Sequence, residues 1–331
     1  MKKRILLLST GGTIASQPSE DGLIPAIDGK RIFQLMGGMN EIYDVDAEDI
    51  LHLDSSNIQP EEWQLIARSI YRAYQKYDGI VVTHGTDTMA YTSAMLSFML
   101  QNIPVPVVIT GSQLPLLHPL TDAMENLRCA FAMAVTGIGG VFLAFDHKII
   151  LGTRAVKVRT TGFDAFESVN SPCVATVDAG GLKINREILP KIQGGCVLKD
   201  NLDNQVFLIK LTPGLNPQIF DMLLNMNYKG IIIEAFGAGG LHFIHRDLIS
   251  KLQTIVDSGI SVVVCSQCLY ERSDFSIYQT GKMVLEKGVI PSYDMTTEAA
   301  VTKLMWCLGQ TADSAEIRRL FATNFVGEII L

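Results

Sequence analysis

Hydroxyl-rich turns follow four predicted strands of this sequence, and they carry the residues best suited to chemistry. The first turn is the run STGGT at residues 9–13, directly after the apolar residues 5–8. The other three are residues 54–57 (DSSN), 83–88 (THGTDT) and 110–113 (TGSQ). Glycines in these turns allow the backbone to approach a ligand closely. Together the turns predict a site that holds a small polar ligand through many hydrogen bonds.

A phosphate-binding loop explains the first turn poorly. The run STGGTIAS at residues 9–16 matches neither the G-x-x-x-x-G-K-[ST] loop nor the G-x-G-x-x-G fingerprint. No acidic residue stands about 20 positions further on, at a second strand end, to hold a ribose. A nucleotide ligand is therefore disfavoured.

Thr13 is the candidate nucleophile of the first turn, but it needs a base from elsewhere. It is internal to the chain and lacks the free amine that N-terminal threonine enzymes use. Thr86 and Asp87 stand at a neighbouring strand end, and a desolvated Lys157 could serve as the base. A lysine in such a segment is usually a solvated strand residue, so the residue pattern alone leaves the base open. His84 precedes its glycine turn and is expected to point into the sheet as a structural histidine.

The elements that must position these turns are apolar strands alternating with amphipathic helices. Helices are predicted over residues 60–77 and 121–135, with Thr121 or Asp122 as the cap of the second. Apolar strands between such helices predict a mostly parallel sheet covered on both faces. The fold class is therefore α/β, with a larger N-terminal sheet flanked by helices.

A polar stretch rich in glycine interrupts this alternation and predicts a domain boundary. We expect an N-terminal catalytic α/β domain over residues 1–188 and a linker over 189–205. Strand–helix alternation resumes afterwards and predicts a smaller C-terminal α/β domain over 206–331.

Composition excludes several classes of partner. The chain has 331 residues, 48% of them hydrophobic, and a formal net charge of -7. Nucleic acids and anionic membranes attract clustered Lys and Arg, so neither is expected as a partner. The N-terminal apolar run is too short for a signal peptide, and no run approaches the ~20 residues that span a bilayer. The sequence thus predicts a cytoplasmic protein with no membrane association.

The six cysteines predict neither a disulfide scaffold nor a metal site. Cys265 and Cys268 form a C-x-x-C pair, but no second pair or paired histidine follows. Cys265 ends an apolar strand instead of opening a helix, unlike a thioredoxin motif. We therefore expect a buried strand thiol beside a loop thiol, and no metal.

The chain resembles the bacterial-type L-asparaginase family, most closely its cytosolic type I branch. The segments TGGTIAS and HGTDTMAYTSAML resemble the two family signatures, and LDSSN, TGSQLP, TTGFDAF and DMTTEAAVTKL fit in order and spacing. The resemblance extends over essentially the whole chain. It implies a two-domain α/β fold and hydrolysis of L-asparagine to L-aspartate and ammonia, without a metal or organic cofactor.

The resemblance also assigns roles to residues. Thr13 would attack the side-chain amide carbon of the substrate. Thr86, Asp87 and Lys157 would form a second polar triad, in which a neutral lysine relays a proton to activate threonine or water. Asp87 would in addition hold the substrate's α-ammonium group.

The remaining roles concern substrate binding. Asp54, Ser55 and Ser56 would hold the α-carboxylate, through the Ser55 side chain and backbone groups. Backbone N–H groups near Thr86 and in the Ser112 turn would stabilise the developing oxyanion.

The sequence departs from the family pattern at the lid. Many members carry a tyrosine about ten residues after the nucleophile, where this chain has Leu23. Tyr278 is our hypothesis for a replacement supplied across a subunit interface. Glu234 stands where an arginine of the type I allosteric site is expected, so allosteric regulation is left open.

Two other functions share these motifs. One is the amidase subunit of a tRNA-dependent amidotransferase, which normally carries an extra domain before the first signature. The other is a non-catalytic amino-acid binder, which would not need Thr13, Thr86 and Lys157 together. By resemblance we expect a homodimer or a homotetramer.

Overall fold

The structure, a computed structural model, describes residues 2–19, 22–275 and 279–330. The chain divides into two compact units, Met1–Asp200 and Asn201–Leu331. The division falls inside the segment predicted as a linker, and the exact ends of that linker stay a prediction.

The strands of the first unit are, in chain order, β1 (Lys3–Gly11), β2 (Ser16–Ser19), β3 (Gly22–Pro25), β4 (Tyr43–Leu53), β5 (Gly79–Thr83), β6 (Leu100–Gln101), β7 (Pro106–Thr110), β8 (Gly140–Phe145), β9 (Lys148–Leu151), β10 (Ala155–Lys157), β11 (Phe166–Ser168), β12 (Ala175–Asp178), β13 (Gly181–Ile184) and β14 (Val197–Leu198). Its helices are α1 (Gly29–Leu35), α2 (Met39–Ile42), α3 (Pro60–Ala73), α4 (Met89–Met99) and α5 (Ala123–Ala134).

An eight-stranded sheet organises the first unit, in the order β13-β12-β9-β8-β7-β5-β1-β4. The pairs from β4 through β1, β5 and β7 to β8 are parallel, and the pairs from β8 to β13 are antiparallel. Smaller pairings join β2 to β3, β10 to β11 and β6 to β14. The predicted α/β class with a mostly parallel sheet is confirmed, with an antiparallel extension at one edge.

The central strands are buried on both faces, as their unbroken apolar runs predict. Ile5 and Leu7 of β1 pack in one core cluster with Phe131 of α5. Leu6 and Leu8 alternate with them along the strand and are equally buried. Because successive side chains of a strand point to opposite faces, helices must cover both sides of the sheet.

The helix predicted over residues 60–77 is shorter than expected. Pro60 opens α3, and the Glu62 carboxylate accepts a hydrogen bond of 2.8 Å from the Gln59 backbone N–H. The α-helix ends at Ala73, and one 3₁₀ turn, Tyr74–Lys76, follows it. Terminal turns commonly tighten in this way, and no glycine or proline marks the change in the sequence.

The second unit is a smaller α/β assembly, as predicted. Its strands are β15 (Val206–Lys210), β16 (Gly230–Ala235), β17 (Ser261–Ser266) and β18 (Ile290–Pro291). Its helices are α6 (Gln218–Asn225), α7 (Leu248–Asp257), α8 (Gln279–Glu286), α9 (Thr297–Gln310) and α10 (Ser314–Ala322). The four strands form a parallel sheet in chain order.

The described residues contain neither a membrane-spanning helix nor a metal-binding cluster. Among them, no helix combines the length and apolar character needed to cross a membrane. Within the same ranges, no group of three or more His, Cys, Asp or Glu side chains could hold a metal ion. Cys265 is buried and Cys268 is exposed, as the strand-and-loop interpretation of the C-x-x-C pair predicts.

Candidate active site

Sheet register brings three of the hydroxyl-rich turns to one level. Ser9 of β1 lies beside Thr83 of β5, and Thr83 lies beside Thr110 of β7. Gly11 pairs with Leu53 at the end of β4, which adds the fourth turn. Because these strands run parallel, the four turns meet at the carboxyl edge of the sheet, where open α/β sheets bind ligands.

Two glycines allow these turns to touch. A Cβ atom on Gly12 would lie 2.3 Å from the backbone nitrogen of Gly85, and Gly12 also has a φ of +77°. A Cβ atom on Gly85 would lie 2.6 Å from the Ser55 hydroxyl oxygen. The turns after β1 and β5 therefore pack backbone against backbone, and the Ser55 side chain packs against Gly85, at distances that any larger residue would disrupt.

Thr13 begins a short 3₁₀ turn, Thr13–Ala15, immediately after Gly12. The Gly12 N–H donates a 2.8 Å hydrogen bond to the Leu53 carbonyl, which fixes the backbone just before it. Thr13 is half-buried, and its hydroxyl makes no hydrogen bond to any residue that the structure describes. The position therefore presents an uncommitted hydroxyl at the carboxyl edge of the sheet.

Lys157 lies against Thr86 and Asp87. Its side-chain nitrogen Nζ lies 2.8 Å from the Thr86 hydroxyl oxygen and 2.5 Å from Asp87 Oδ1. The lysine side chain is 18% exposed, whereas that of Asp87 is 63% exposed. Three of the predicted catalytic residues are thus in contact, with the base candidate largely shielded and the carboxylate open to a ligand.

Gln113 holds the other side of the Thr86 hydroxyl, a contact that the residue pattern does not reveal. The hydroxyl lies 3.3 Å from Gln113 Oε1, and Gln113 Nε2 donates to the carbonyls of Thr160 at 3.1 Å and Gly162 at 3.0 Å. A flipped amide would set its oxygen against two carbonyl oxygens, so its orientation is determined. Thr86 therefore donates to Gln113 while it accepts from Lys157. The only sequence signal was an amide side chain in a strand-end turn.

Asp122 supports this turn instead of capping a helix. It occupies the N-cap position of α5, but its carboxylate accepts from the backbone N–H of Gln113 at 3.0 Å and of Leu114 at 3.1 Å. The Thr121 hydroxyl oxygen accepts from the Ala123 N–H at 3.1 Å. Asp122 is thus the N-cap residue, one of the two predicted alternatives, but its side chain caps no N–H group of α5, because the preceding turn offers its N–H groups to the same carboxylate.

The predicted carboxylate-binding turn contacts the Asp87 segment. The Ser55 hydroxyl oxygen accepts from the Asp87 backbone N–H at 3.2 Å, and the Thr88 hydroxyl donates to the Ser55 carbonyl at 2.7 Å. Asp54 Oδ1 accepts from the Ser56 N–H at 2.8 Å and from its hydroxyl at 2.5 Å. Asp54 therefore shapes its own turn, while Ser55 lies directly beside Asp87.

Backbone N–H groups are expected at an oxyanion near Thr86 and in the Ser112 turn, and two such groups are unpaired within the described residues. Neither the Thr86 N–H nor the Ser112 N–H donates a hydrogen bond to any of them. The Ser112 side chain is buried, and its hydroxyl donates to the Leu114 carbonyl at 2.5 Å. The Ser112 hydroxyl proton is therefore not available to a ligand.

His84 is fully buried, as expected of a structural histidine. Its Nδ1 lies 2.7 Å from the Gly85 carbonyl, and its Nε2 lies 2.9 Å from the Thr92 hydroxyl. Burial lowers the pKa of the imidazole to about 4, against a smaller opposing effect of the Gly85 carbonyl. The ring is therefore neutral near pH 7.

Two of the three residues named where the sequence departs from the family pattern lie in described strands. Leu23 lies opposite Pro18 in the hairpin of β2 and β3. Tyr278 lies outside the described residues. Glu234 lies at the end of β16, where its carboxylate accepts from the Thr297 hydroxyl at 2.8 Å and lies 3.4 Å from Lys210.

Two family models match the chain in succession. Residues 4–190 match the model described as "Asparaginase, N-terminal". Residues 205–321 match the model described as "Glutaminase/Asparaginase C-terminal domain". Between them they account for most of both compact units.

Individual relatives agree with these matches. The L-asparaginase of Thermococcus kodakarensis is 45% identical over 98% of this chain and 99% of its own length. A glutamyl-tRNA(Gln) amidotransferase subunit of Metallosphaera sedula is 38% identical over 98% of this chain and 76% of its own length. The crystal structure of L-asparaginase I from Vibrio cholerae superposes with a TM-score of 0.89 at 31% identity, covering all of both chains.

Proposed function

The chain belongs to the asparaginase family, and from that premise we propose that it hydrolyses L-asparagine to L-aspartate and ammonia, with Thr13 as the nucleophile. The observation that carries the proposal is the contact of Lys157 with both Thr86 and Asp87, at the sheet edge that also presents Thr13. The names of two relatives, both L-asparaginases, support the substrate.

Substrate binding follows from the charges at this edge. The α-ammonium group binds the Asp87 carboxylate, whose Oδ2 accepts no hydrogen bond from the described residues. The α-carboxylate binds the turn of residues 54–56, beside Ser55. A charge-assisted hydrogen bond of this kind is about twice as strong as a neutral one, so the site selects a zwitterion over a simple amide.

The reaction begins when the Thr13 oxygen attacks the side-chain amide carbon. The hydroxyl proton leaves Thr13 and is delivered, through the Thr86–Lys157 pair, to the departing ammonia. The N–H groups of Thr86 and Ser112 stabilise the oxyanion, each worth on the order of 3 kcal/mol in the transition state. Water, activated by the same pair, then attacks the acyl carbon of the threonine ester, returns a proton to the Thr13 oxygen as that bond breaks, and so releases L-aspartate.

Ammonia release from L-asparagine tests this proposal. The wild-type chain should turn over asparagine steadily, and Thr13→Ala should lower kcat by at least about 10³-fold. Ammonia release from L-glutamine, measured in parallel, shows whether the site also accepts a substrate with a longer side chain. A Thr13→Ala variant that retains most of its activity would exclude Thr13 as the nucleophile.

A second candidate is the amidase subunit of a tRNA-dependent amidotransferase. The identity to the Metallosphaera sedula protein favours it, whereas the net charge of -7 disfavours a tRNA surface. Efficient turnover of free asparagine without tRNA supports the asparaginase, and turnover only with charged tRNA and a partner supports the amidotransferase. Asparagine binding by calorimetry without ammonia release would instead identify a non-catalytic binder.

Assembly and location complete the proposal. We expect a homodimer or homotetramer in the cytoplasm, in line with the type I branch that the motifs resemble. Light scattering coupled to size-exclusion chromatography measures the mass of the assembly. A mass of 36.3 kDa, that of one chain, would contradict the expected oligomer.

If the oligomer forms, Tyr278→Phe tests whether that tyrosine acts in turnover, since an unchanged kcat would exclude such a role.

A further inference from the structure

A buried chain of hydrogen bonds leads from α3 to the turn that carries Thr86. Trp63 Nε1 lies 3.0 Å from the Thr92 hydroxyl oxygen, which lies 2.9 Å from His84 Nε2. His84 Nδ1 in turn lies 2.7 Å from the Gly85 carbonyl oxygen. His84 and Thr92 are entirely buried, and Trp63 is 6% exposed. The chain therefore runs through the interior and ends at the backbone of the candidate active site.

Each proton in this chain has one allowed position. An indole N–H can only donate, so Trp63 donates to Thr92. A carbonyl oxygen can only accept, so His84 Nδ1 carries the proton that Gly85 receives. The ring is neutral, which leaves Nε2 as an acceptor for the Thr92 hydroxyl. The Gly85 carbonyl thereby selects the Nδ1–H tautomer of His84, and the Thr92 hydroxyl, which donates to Nε2, reinforces it.

This tautomer determines the orientation of one peptide group. The Gly85–Thr86 peptide bond is trans, so its N–H points opposite to its carbonyl. With the Gly85 carbonyl held against the buried imidazole, the Thr86 N–H must point away from that ring. This N–H makes no hydrogen bond within the described residues, and Thr86 is only 6% exposed. It is thus an aligned donor with no acceptor in the part of the chain that the structure describes.

We propose that His84 is a positioning residue, which acts through the Gly85 carbonyl to aim the Thr86 N–H at the oxyanion of the reaction. The inference rests on the proposed amide hydrolysis and adds a role outside the predicted catalytic residues. Gly85 has no side chain to restrain it and is packed against Gly12 and Ser55. The hydrogen bond from His84 supplies a restraint on peptide rotation that a glycine cannot supply itself.

Two substitutions of His84 separate positioning from simple loss of packing. An asparagine side chain at position 84 places an amide N–H near the position of Nδ1. It therefore keeps the hydrogen bond to the Gly85 carbonyl but loses the one with the Thr92 hydroxyl. Glutamine reaches toward Thr92 but presents no donor at Gly85. We expect His84→Gln to lower kcat by about 10²-fold at nearly constant KM, and His84→Asn to recover most of that loss. Equal losses of kcat in both variants would overturn the proposal.

Thr92 provides a second test if the His84 variants fold poorly. Thr92→Ser keeps the hydroxyl, whereas Thr92→Val removes it and leaves Nε2 free to take the proton. Nitrogen chemical shifts of the labelled imidazole should report the Nδ1–H tautomer in the wild type and in Thr92→Ser, and a loss of that preference in Thr92→Val. An Nε2–H tautomer in the wild type would overturn the proposal.

The tautomer measurement needs no substrate, so it distinguishes two kinds of failure. If the Nδ1–H tautomer is present but the wild type releases no ammonia from asparagine, the proposed function fails. If ammonia is released and kcat is insensitive to the hydroxyl at residue 92, the positioning role fails while the function stands.

Discussion

The side-chain nitrogen of Lys157 lies 2.8 Å from the Thr86 hydroxyl oxygen, although the two residues are 71 positions apart in the chain. Lys157 belongs to the short antiparallel pair of β10 and β11, whereas Thr86 follows the central parallel strand β5. This contact brings a shielded amine to a hydroxyl at the carboxyl edge of the sheet.

Lys157→Met should abolish most of the turnover without unfolding the chain. The variant keeps a side chain of similar length but removes the only amine that contacts Thr86 among the described residues. Loss of a general acid–base typically costs 10²- to 10⁴-fold, so we expect kcat to fall by about 10³-fold. Ammonia release under saturating asparagine measures the effect.

A surface lysine of the same unit is the control for that variant. Lys183 forms an ion pair with Asp178, and its side chain is 62% exposed. Lys183→Met should leave kcat unchanged, because such pairs are weak and this lysine lies on β13, which four strands separate from β5 and its Thr86 turn. Comparable losses in the two variants would argue against a specific role for Lys157.

Gln113→Ala should slow the reaction by releasing the Thr86 hydroxyl. The amide joins Thr86 to the carbonyls of Thr160 and Gly162, so its loss lets the hydroxyl rotate. We expect kcat to fall by about tenfold, with a smaller change in KM. Gln75→Ala is the control, since that amide contacts only the exposed hydroxyl of Tyr74 in the described chain. A changed KM with constant kcat would assign Gln113 to binding instead.

Gly12→Ala should disrupt the contact between two active-site turns. Its Cβ atom would lie 2.3 Å from the Gly85 nitrogen, and the φ of +77° adds backbone strain. We expect the free energy of unfolding to fall by at least about 2 kcal/mol, accompanied by a loss of kcat. Urea denaturation compares the variant with Gly195→Ala, where an added Cβ has no atom within 4 Å. Equal stability of the two variants would contradict this packing.

Lys303→Met should destabilise the second unit strongly. Lys303 and Glu328 form a pair at 2.6 Å, and both side chains are completely buried. Removing one partner of a buried pair typically costs 3–5 kcal/mol, because the other charge is left uncompensated, so we expect a loss of about 4 kcal/mol. Adding Glu328→Leu should restore part of that loss. The exposed Arg319–Glu316 pair serves as the control, where Arg319→Met should change the free energy of unfolding far less.

His84 should make the chain less stable in acid. Its pKa is lowered by burial from 6.5 to about 4 in the folded state, so between these values the unfolded chain binds a proton that the folded chain does not. Stability therefore rises with pH across this window and is lost as the pH falls, by up to about 3 kcal/mol. The pH dependence of unfolding should be less steep in His84→Asn. An identical slope in that variant would show that other groups cause the acid sensitivity.

By itself, the sequence determined the fold class and the edge at which the site lies. Unbroken apolar runs such as residues 5–8 specify strands that are buried on both faces, and polar turns after parallel strands must share one edge. These are local patterns, so they can be recognised without knowing which strands are neighbours. The roles of Thr13, Thr86, Asp87 and Lys157 stay predictions until the variants are measured.

Tertiary structure alone decided which polar groups meet. Strand order and register set Gly12 against Gly85 and Lys157 against Thr86, and no periodicity in the sequence encodes such long-range contacts. The same holds for the side chains with competing partners: the Asp122 carboxylate accepts from the backbone N–H groups of the Gln113 turn, not from those of its own helix. A hydrogen bond goes to the donor that the fold brings closest, and only the packed chain shows which donor that is.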